Sequence, residues 1–154
     1  MDRTVRCATT TIGLFLLLAA LASMLVACTR TPPEQRLREQ ISAMQAAIES
    51  RDARDFMQGV TDDFAGNAGM DRAALQQVIR AQVIANLRIG VTLGPAEVQL
   101  HEDGRRATVR FTAMATGGSG RMLPERGRVY DIETGWRDED GQWRLYAAQW
   151  KPRL

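Results

Sequence analysis

The sequence predicts an α+β domain in which three helices come first and a curved antiparallel sheet follows. Apolar residues recur at helical spacing up to about residue 87. After residue 89 they alternate with polar residues, as in strands with one buried face. The turn sequences Asp103-Gly104 and Glu139-Asp140-Gly141 separate the alternating segments. Helices and strands that are segregated along the chain are typical of the α+β class.

The first helix is predicted to begin within Thr31-Pro32-Pro33-Glu34. Thr31 is expected to cap it, proline suits the first turn, and Glu34 can complete a capping box. The helix carries an apolar stripe at helical spacing, made of Leu37, Ile41, Met44 and Ile48.

Two further helices are predicted before the sheet. A short one runs from about Asp52 to Gly59 and is expected to bury Phe56. Residues 61–69 are interpreted as a connection. A third helix runs roughly from Arg72 to Leu87 behind the cap Asp71, with one apolar face formed by Leu75, Val78, Ile79 and Val83.

Five strands are predicted after residue 89. Their alternating segments are 91–93, 96–101, 107–113, 128–137 and 143–150. Residues 116–127 are interpreted as a glycine-rich loop. The loop contains Gly117-Gly118-Ser119-Gly120, but no Lys-Ser or Lys-Thr follows, so it does not match a phosphate-binding loop.

The N-terminal residues have the pattern of a secretory signal peptide. Arg3 and Arg6 precede a nearly continuous apolar run from Ile12 to Ala27. A membrane-spanning helix needs about 20 apolar residues, so this run is short for one. We therefore expect residues 1–27 to be removed, with an uncleaved membrane anchor as the alternative.

Leu25-Val26-Ala27-Cys28 resembles the lipobox of bacterial lipoproteins. The resemblance implies cleavage before Cys28, attachment of diacylglycerol to its thiol, and acylation of the new amine. Residues 28–32 would then be a lipidated N-terminus with a short tether, and residues 33–154 a domain that faces the periplasm. Thr29 follows Cys28 where an Asp would retain the protein in the inner membrane, which favours the outer membrane.

The domain resembles the nuclear transport factor 2-like superfamily, also called the cystatin-like cone. The resemblance covers about residues 34–152 and rests on the element order and three passages, namely Ile48-Glu49-Ser50-Arg51-Asp52, Thr61-Asp62-Asp63-Phe64 and Gly141-Gln142-Trp143-Arg144-Leu145. It implies three helices packed on a curved antiparallel sheet. Members include polyketide cyclase (SnoaL-like) and ketosteroid isomerase-like enzymes and also non-catalytic binding and dimerisation domains, so the fold does not assign chemistry.

No catalytic residue is assigned from the sequence. Asp62 and Asp63 are neighbours that we interpret as capping or solvated acids. His101 is the only histidine and lies beside a predicted turn. Ketosteroid isomerase-like relatives place a tyrosine on the first helix, whereas Tyr130 and Tyr146 lie on predicted strands here. This departure argues against that chemistry.

Charge and cysteine content limit the partners. The net charge of +2 gives no electrostatic argument for nucleic acid binding. Cys7 and Cys28 are the only cysteines and lie within or directly after the leader. A lone His without Cys makes no plausible metal site, so neither a metal nor a cofactor is expected.

Strand parity predicts a candidate pocket. Val109, Phe111, Ile132, Trp136, Trp143 and Leu145 are expected to face the helices. Tyr130 and Thr134 share the parity of Trp136, so these three residues are the candidate pocket for a small apolar ligand.

Parity also predicts a candidate interface on the reverse face of the sheet, consisting of Tyr146, Trp150, Arg110 and Arg144. Aromatic residues and arginine are typical interface anchors. The alternative is a solvated, salt-bridged face, and a β-bulge would shift the parity on which both sets depend.

The sequence thus predicts a membrane-anchored envelope lipoprotein. Its domain is expected to bind a protein partner or a second copy of itself. The alternative is a small cavity enzyme of the cyclase or isomerase type.

Overall fold

The computed structural model describes residues 31–118 and 126–153. The predictions for the signal peptide, for Cys28 and Thr29, and for Ser119 and Gly120 lie outside these residues. Pro32–Leu154 form one compact unit. As far as the described residues go, no helix is both long and apolar enough to cross a membrane.

The described residues contain three α-helices, as predicted: α1 (Pro33–Glu49), α2 (Ala53–Gln58) and α3 (Arg72–Ala85). Asp52 caps α2 through the backbone N–H groups of the second and third helical residues, and Asp71 caps α3. The predicted cap of α1 is wrong. Pro32 occupies the cap position, and none of the described side chains caps this helix.

The same part of the chain forms six strands: β1 (Val60–Ala65), β2 (Arg88–Leu93), β3 (Glu97–Leu100), β4 (Arg106–Gly118), β5 (Arg126–Glu139) and β6 (Gln142–Pro152). They form one curved sheet in the order β1-β6-β5-β4-β2, and β3 also pairs with β4. All pairs are antiparallel except β1 with β6.

Two segments that were predicted as connections, residues 61–69 and 116–127, belong partly to strands. The segment after α2 forms β1, which pairs in parallel with the last strand. Gly66 and the short 3-10 turn Asn67–Gly69 remain of the predicted connection. In the second case Thr116 pairs with Gly127 and Gly117 with Arg126, so the β4–β5 hairpin extends into the predicted glycine-rich loop.

The core lies between α1 and the inner face of the sheet. Leu37, Ile41 and Met44 of α1 pack with inner-face residues of the sheet, which are Val60, Phe64, Ala107, Val109, Trp136, Trp143, Leu145 and Ala148. From α2 the fully buried side chain is Met57, whereas Phe56 is only partly buried. Leu75 of α3 belongs to the same core cluster.

A β-bulge in β6 changes the expected parity. Trp136 pairs with Leu145, whereas the preceding residue, Gly135, pairs with Ala147. Tyr146 is therefore the extra residue in β6. Beyond it, Ala148 is buried and Trp150 packs against the core. The prediction that Trp150 lies on the reverse face is wrong because the bulge turns it inward.

Candidate functional site

A cavity of about 350 Å³ lies between the helices and the inner face of the sheet. This volume falls within the range of small-molecule sites, about 300–1,000 Å³. Its described lining consists of Ile41, Met44, Gln45, Ile48, Phe56, Phe64, Leu75, Val78, Ile79, Val91, Leu93, Phe111, Ile132, Thr134, Trp136, Leu145, Ala148 and Trp150. None of these lining residues is titratable.

The hydroxyl of Thr134 lies on the wall of the cavity and is engaged within the protein. It donates to the carbonyl oxygen of Val109 at 3.1 Å. It also accepts the indole N–H of Trp136 at 2.8 Å. The indole ring is thereby held in one orientation, and the wall it forms is mainly apolar.

Gln45 is the other side chain of the described lining with an amide or hydroxyl group, and it joins α1 to the edge strand β2. Its amide donates to the carbonyl oxygen of Val91 at 2.7 Å. Glu49 accepts the N–H of the same residue at 3.1 Å. Two helix side chains thus satisfy backbone groups that an edge strand leaves unpaired.

Asn67 fixes Trp150 at the other end of the sheet. Its side-chain amide donates to the carbonyl oxygen of Trp150 at 2.7 Å and accepts that residue's N–H at 3.2 Å. Trp150 pairs across strands with Ile132, and both side chains line the cavity. Sequence parity missed this residue as a cavity residue because of the bulge.

The structure brings together two of the three predicted pocket residues. Thr134 and Trp136 line the cavity. Tyr130 lines a different cavity of about 480 Å³, beside Gln82 and Asn86 at the end of α3. Four residues along a strand span about 13 Å, so equal parity does not bring Tyr130 and Thr134 to one site.

The predicted interface is divided between the two faces of the sheet. Arg110 pairs with Glu133 on the reverse face at 2.6 Å. Tyr146 is half-buried against Gly135, and the guanidinium of Arg137 lies 5.9 Å from the centre of its ring. Trp150 lies on the other face. Arg110, Arg144 and Tyr146 remain a predicted interface.

The buried side-chain nitrogen Nε of Arg144 has no hydrogen-bond partner among the described residues. It lies 3.5 Å from a carboxylate oxygen of Glu139, which is an ion-pair distance without hydrogen-bond geometry. Arg137 donates to the same carboxylate at 2.6 Å. These charges form a network along the reverse face, as expected for a salt-bridged surface.

The two neighbouring acids of β1 pair with different arginines. Asp63 accepts two hydrogen bonds from Arg137, at 2.7 and 2.8 Å. This bidentate contact lowers the pKa of Asp63 to about 2. Asp62 lies 3.6 Å from Arg72. Their side chains therefore take part in ion pairs between elements and do not share a proton.

His101 is not among the residues that line the cavity. His101 directly follows β3, and its Nε2 lies 3.2 Å from the hydroxyl of Thr108. Across residues 31–118 and 126–153, no three His, Cys, Asp or Glu side chains are arranged to hold a metal ion.

No family model matches the chain, and no curated protein matches it. Solved structures do. A dehydratase candidate of the NTF2-like family from Streptomyces avermitilis is 16% identical, with a TM-score of 0.65, over 78% of this chain and 95% of that one. A candidate scytalone dehydratase from Novosphingobium aromaticivorans is 10% identical, with a TM-score of 0.66, over 79% and 84%.

A third similar structure is Bd1075 of Bdellovibrio bacteriovorus, which is 12% identical with a TM-score of 0.68. The match covers 77% of this chain but 41% of that protein, so the chain spans less than half of its length. At such low identities, structural similarity establishes the fold and not the activity. The chain therefore has the fold of NTF2-like, cystatin-like proteins: three helices on a curved, unclosed sheet.

Proposed function

We propose that this domain binds a neutral, largely apolar small molecule in the cavity between α1, α3 and the sheet. The observation that carries the proposal is the cavity of about 350 Å³ whose described lining includes no titratable side chain. Burying a charge without a partner is strongly unfavourable, so such a lining favours a neutral ligand.

The position of Trp150 supports a ligand over a protein partner. The predicted protein interface depended on two aromatic residues side by side on the reverse face. Trp150 lines the cavity, and Tyr146 is partly covered by Arg137. The reverse face then carries mainly charged pairs, whereas a large apolar surface lies inside the cavity.

The chemistry of the cavity supports binding over catalysis. General acid–base catalysis requires a titratable group within hydrogen-bond reach of the reacting atom. His101, Tyr130 and the two β1 acids lie outside the described lining. Two similar structures are named as dehydratase candidates. Because the described lining of this cavity has no titratable side chain, it does not favour dehydratase activity for this domain.

A pair of fluorescent probes tests the proposal on the isolated unit Pro32–Leu154. This compact unit contains every core residue that the structure describes, so it is expected to fold by itself. N-phenyl-1-naphthylamine is neutral, and 1-anilinonaphthalene-8-sulfonate is a similar molecule with a charge. The neutral probe should bind saturably and more tightly, because a sulfonate would be buried without a partner. Equal binding of both probes, or no saturable binding, would count against the cavity as the site.

We further propose that the domain is attached to a bacterial envelope membrane through lipid on Cys28. The support is the sequence Leu25-Val26-Ala27-Cys28 at the end of an apolar run. Mass spectrometry of the membrane-extracted protein should find a mature N-terminus at Cys28 that carries acyl chains. Cys28→Ala should abolish the acyl mass. Wild-type protein that retains residues 1–27 without acyl chains would overturn the assignment.

A further inference from the structure

The exposed side of α3 is unusually apolar for a surface that faces water. Ile84 is 80% exposed, and Val78 is 43% exposed. Leu87, which follows the C-cap residue Asn86, is 61% exposed. Ala81 and Ala85, which lie beside them on the helix, are exposed as well. We call this side the α3 surface, made of Val78, Arg80, Ala81, Ile84, Leu87 and Arg88.

The charge of the α3 surface has one sign. The chain contains no acidic residue between Asp71 and Glu97. Arg80 and Arg88 are exposed, and no acid among the described residues pairs with either of them. The surface therefore combines apolar side chains with cationic ones.

The exposed side of α1 shows the usual composition for comparison. It carries acids and a base together, including Glu39, Glu49 and Arg38. Arg38 also pairs with Glu34 one turn away at 2.7 Å. Among the described residues, the exposed side of α1 thus carries charges of both signs, whereas that of α3 combines apolar and cationic side chains, a combination that suits a membrane interface.

We propose that the α3 surface docks on an anionic lipid surface. The exposed apolar side chains Ile84 and Leu87 would enter the headgroup boundary, and the two arginines would contact lipid phosphates. Val78 belongs to the α3 surface and also lines the cavity. A domain docked in this way would present the cavity beside the lipid.

This docking does not depend on ligand binding in the cavity, and one set of variants separates the two. Ile84→Glu introduces a charge at an exposed position that does not line the cavity. Ala46→Glu makes the same change of charge on the exposed side of α1 and is the matched control. Arg80→Gln removes one cation from the α3 surface.

The experiment is co-sedimentation of the unit Pro32–Leu154 with two kinds of vesicles. One consists of phosphatidylcholine, and the other contains phosphatidylglycerol as well. We expect stronger binding to the anionic vesicles, weakened by salt. Ile84→Glu should reduce that binding more than tenfold, and Arg80→Gln should reduce it by about fivefold. Ala46→Glu should bind like the wild type, and all variants should keep the wild-type affinity for the neutral probe.

Three results would overturn the proposal. The first is equal binding of the wild type to both kinds of vesicles, or to neither. The second is an equal loss of binding in Ile84→Glu and Ala46→Glu. The third is a wild-type dimer in sedimentation that Ile84→Glu dissociates, since the α3 surface would then be covered by a second copy of the domain.

Discussion

The side-chain amide of Asn67 forms two hydrogen bonds with the backbone of Trp150, one to its carbonyl oxygen and one from its N–H. The 3-10 turn after β1 thereby continues the pairing of β1 with β6 through a side chain. This contact holds the end of β6 beyond the bulge, where Trp150 lines the cavity.

Asn67→Ala should therefore loosen the end of β6. The loss leaves two partly buried backbone groups without protein partners, at a cost of about 1–2 kcal/mol in the free energy of unfolding. Urea unfolding measures it. Gln149→Ala, at an exposed position on the same strand, is the control. It should lower the free energy of unfolding by less than about 0.5 kcal/mol. Equal costs for the two variants would show that the amide contact contributes nothing specific.

Thr134 makes a different prediction, because its hydroxyl accepts the indole N–H of Trp136 inside the core. Thr134→Val preserves the shape but leaves that N–H buried without an acceptor. The free energy of unfolding should fall by about 1–3 kcal/mol. Thr134→Ser keeps the hydroxyl and should lose less. If the valine variant is as stable as the wild type, the indole has another acceptor.

The ion pair of Asp63 and Arg137 predicts a pH dependence of stability. The hydrogen bonds from Arg137 lower the pKa of Asp63 from 3.8 to about 2 in the folded state. A lowered pKa stabilises the fold above about pH 4, and this contribution is lost as the pH falls toward 2. Asp63 is exposed, so solvent screening keeps the effect small.

Thermal melting between pH 5 and pH 2 checks this prediction. Asp63→Asn should be less stable than the wild type near pH 5, with a difference that shrinks toward pH 2. Asp62→Asn is the neighbouring control, since its carboxylate lies 3.6 Å from Arg72 without bidentate geometry. A constant difference between wild type and Asp63→Asn across this range would contradict the assignment.

The sequence predicts the helices well because their signals are local. Asp52 and Asp71 cap the helices they precede, and the stripe of Leu37, Ile41 and Met44 is buried as its spacing predicts. The chain turns at Asp140 and Gly141 with positive φ angles of 53° and 88°, and Asp-Gly tolerates this geometry.

The elements that the sequence does not predict depend on contacts between distant residues. β1 exists because it pairs with β6, about 85 residues later, and its two central acids interrupt any alternating pattern. The alternating pattern also does not predict the bulge at Tyr146. This one extra residue inverts the parity of the rest of β6. This single residue moves Trp150 from the predicted interface to the cavity.

The candidate site was predicted in part. Thr134 and Trp136 have the correct face and lie in the cavity, since no bulge separates them within β5. Tyr130 has the correct parity but the wrong position along the strand. Parity specifies a face of the sheet but not a position along the strand. Which residues of α1 and α3 line the cavity could be seen only in the tertiary structure.

The most direct test of ligand binding in the cavity is the affinity of Val78→Trp for N-phenyl-1-naphthylamine. Val78 lines the cavity and is 43% exposed, so the larger indole can enter the cavity without displacing a fully buried side chain. Ala46→Trp, on the exposed side of α1, is the matched control. We predict at least a tenfold weaker affinity for Val78→Trp with an unchanged melting temperature, and wild-type affinity for Ala46→Trp. Wild-type affinity in both variants would contradict the central claim that the ligand occupies this cavity.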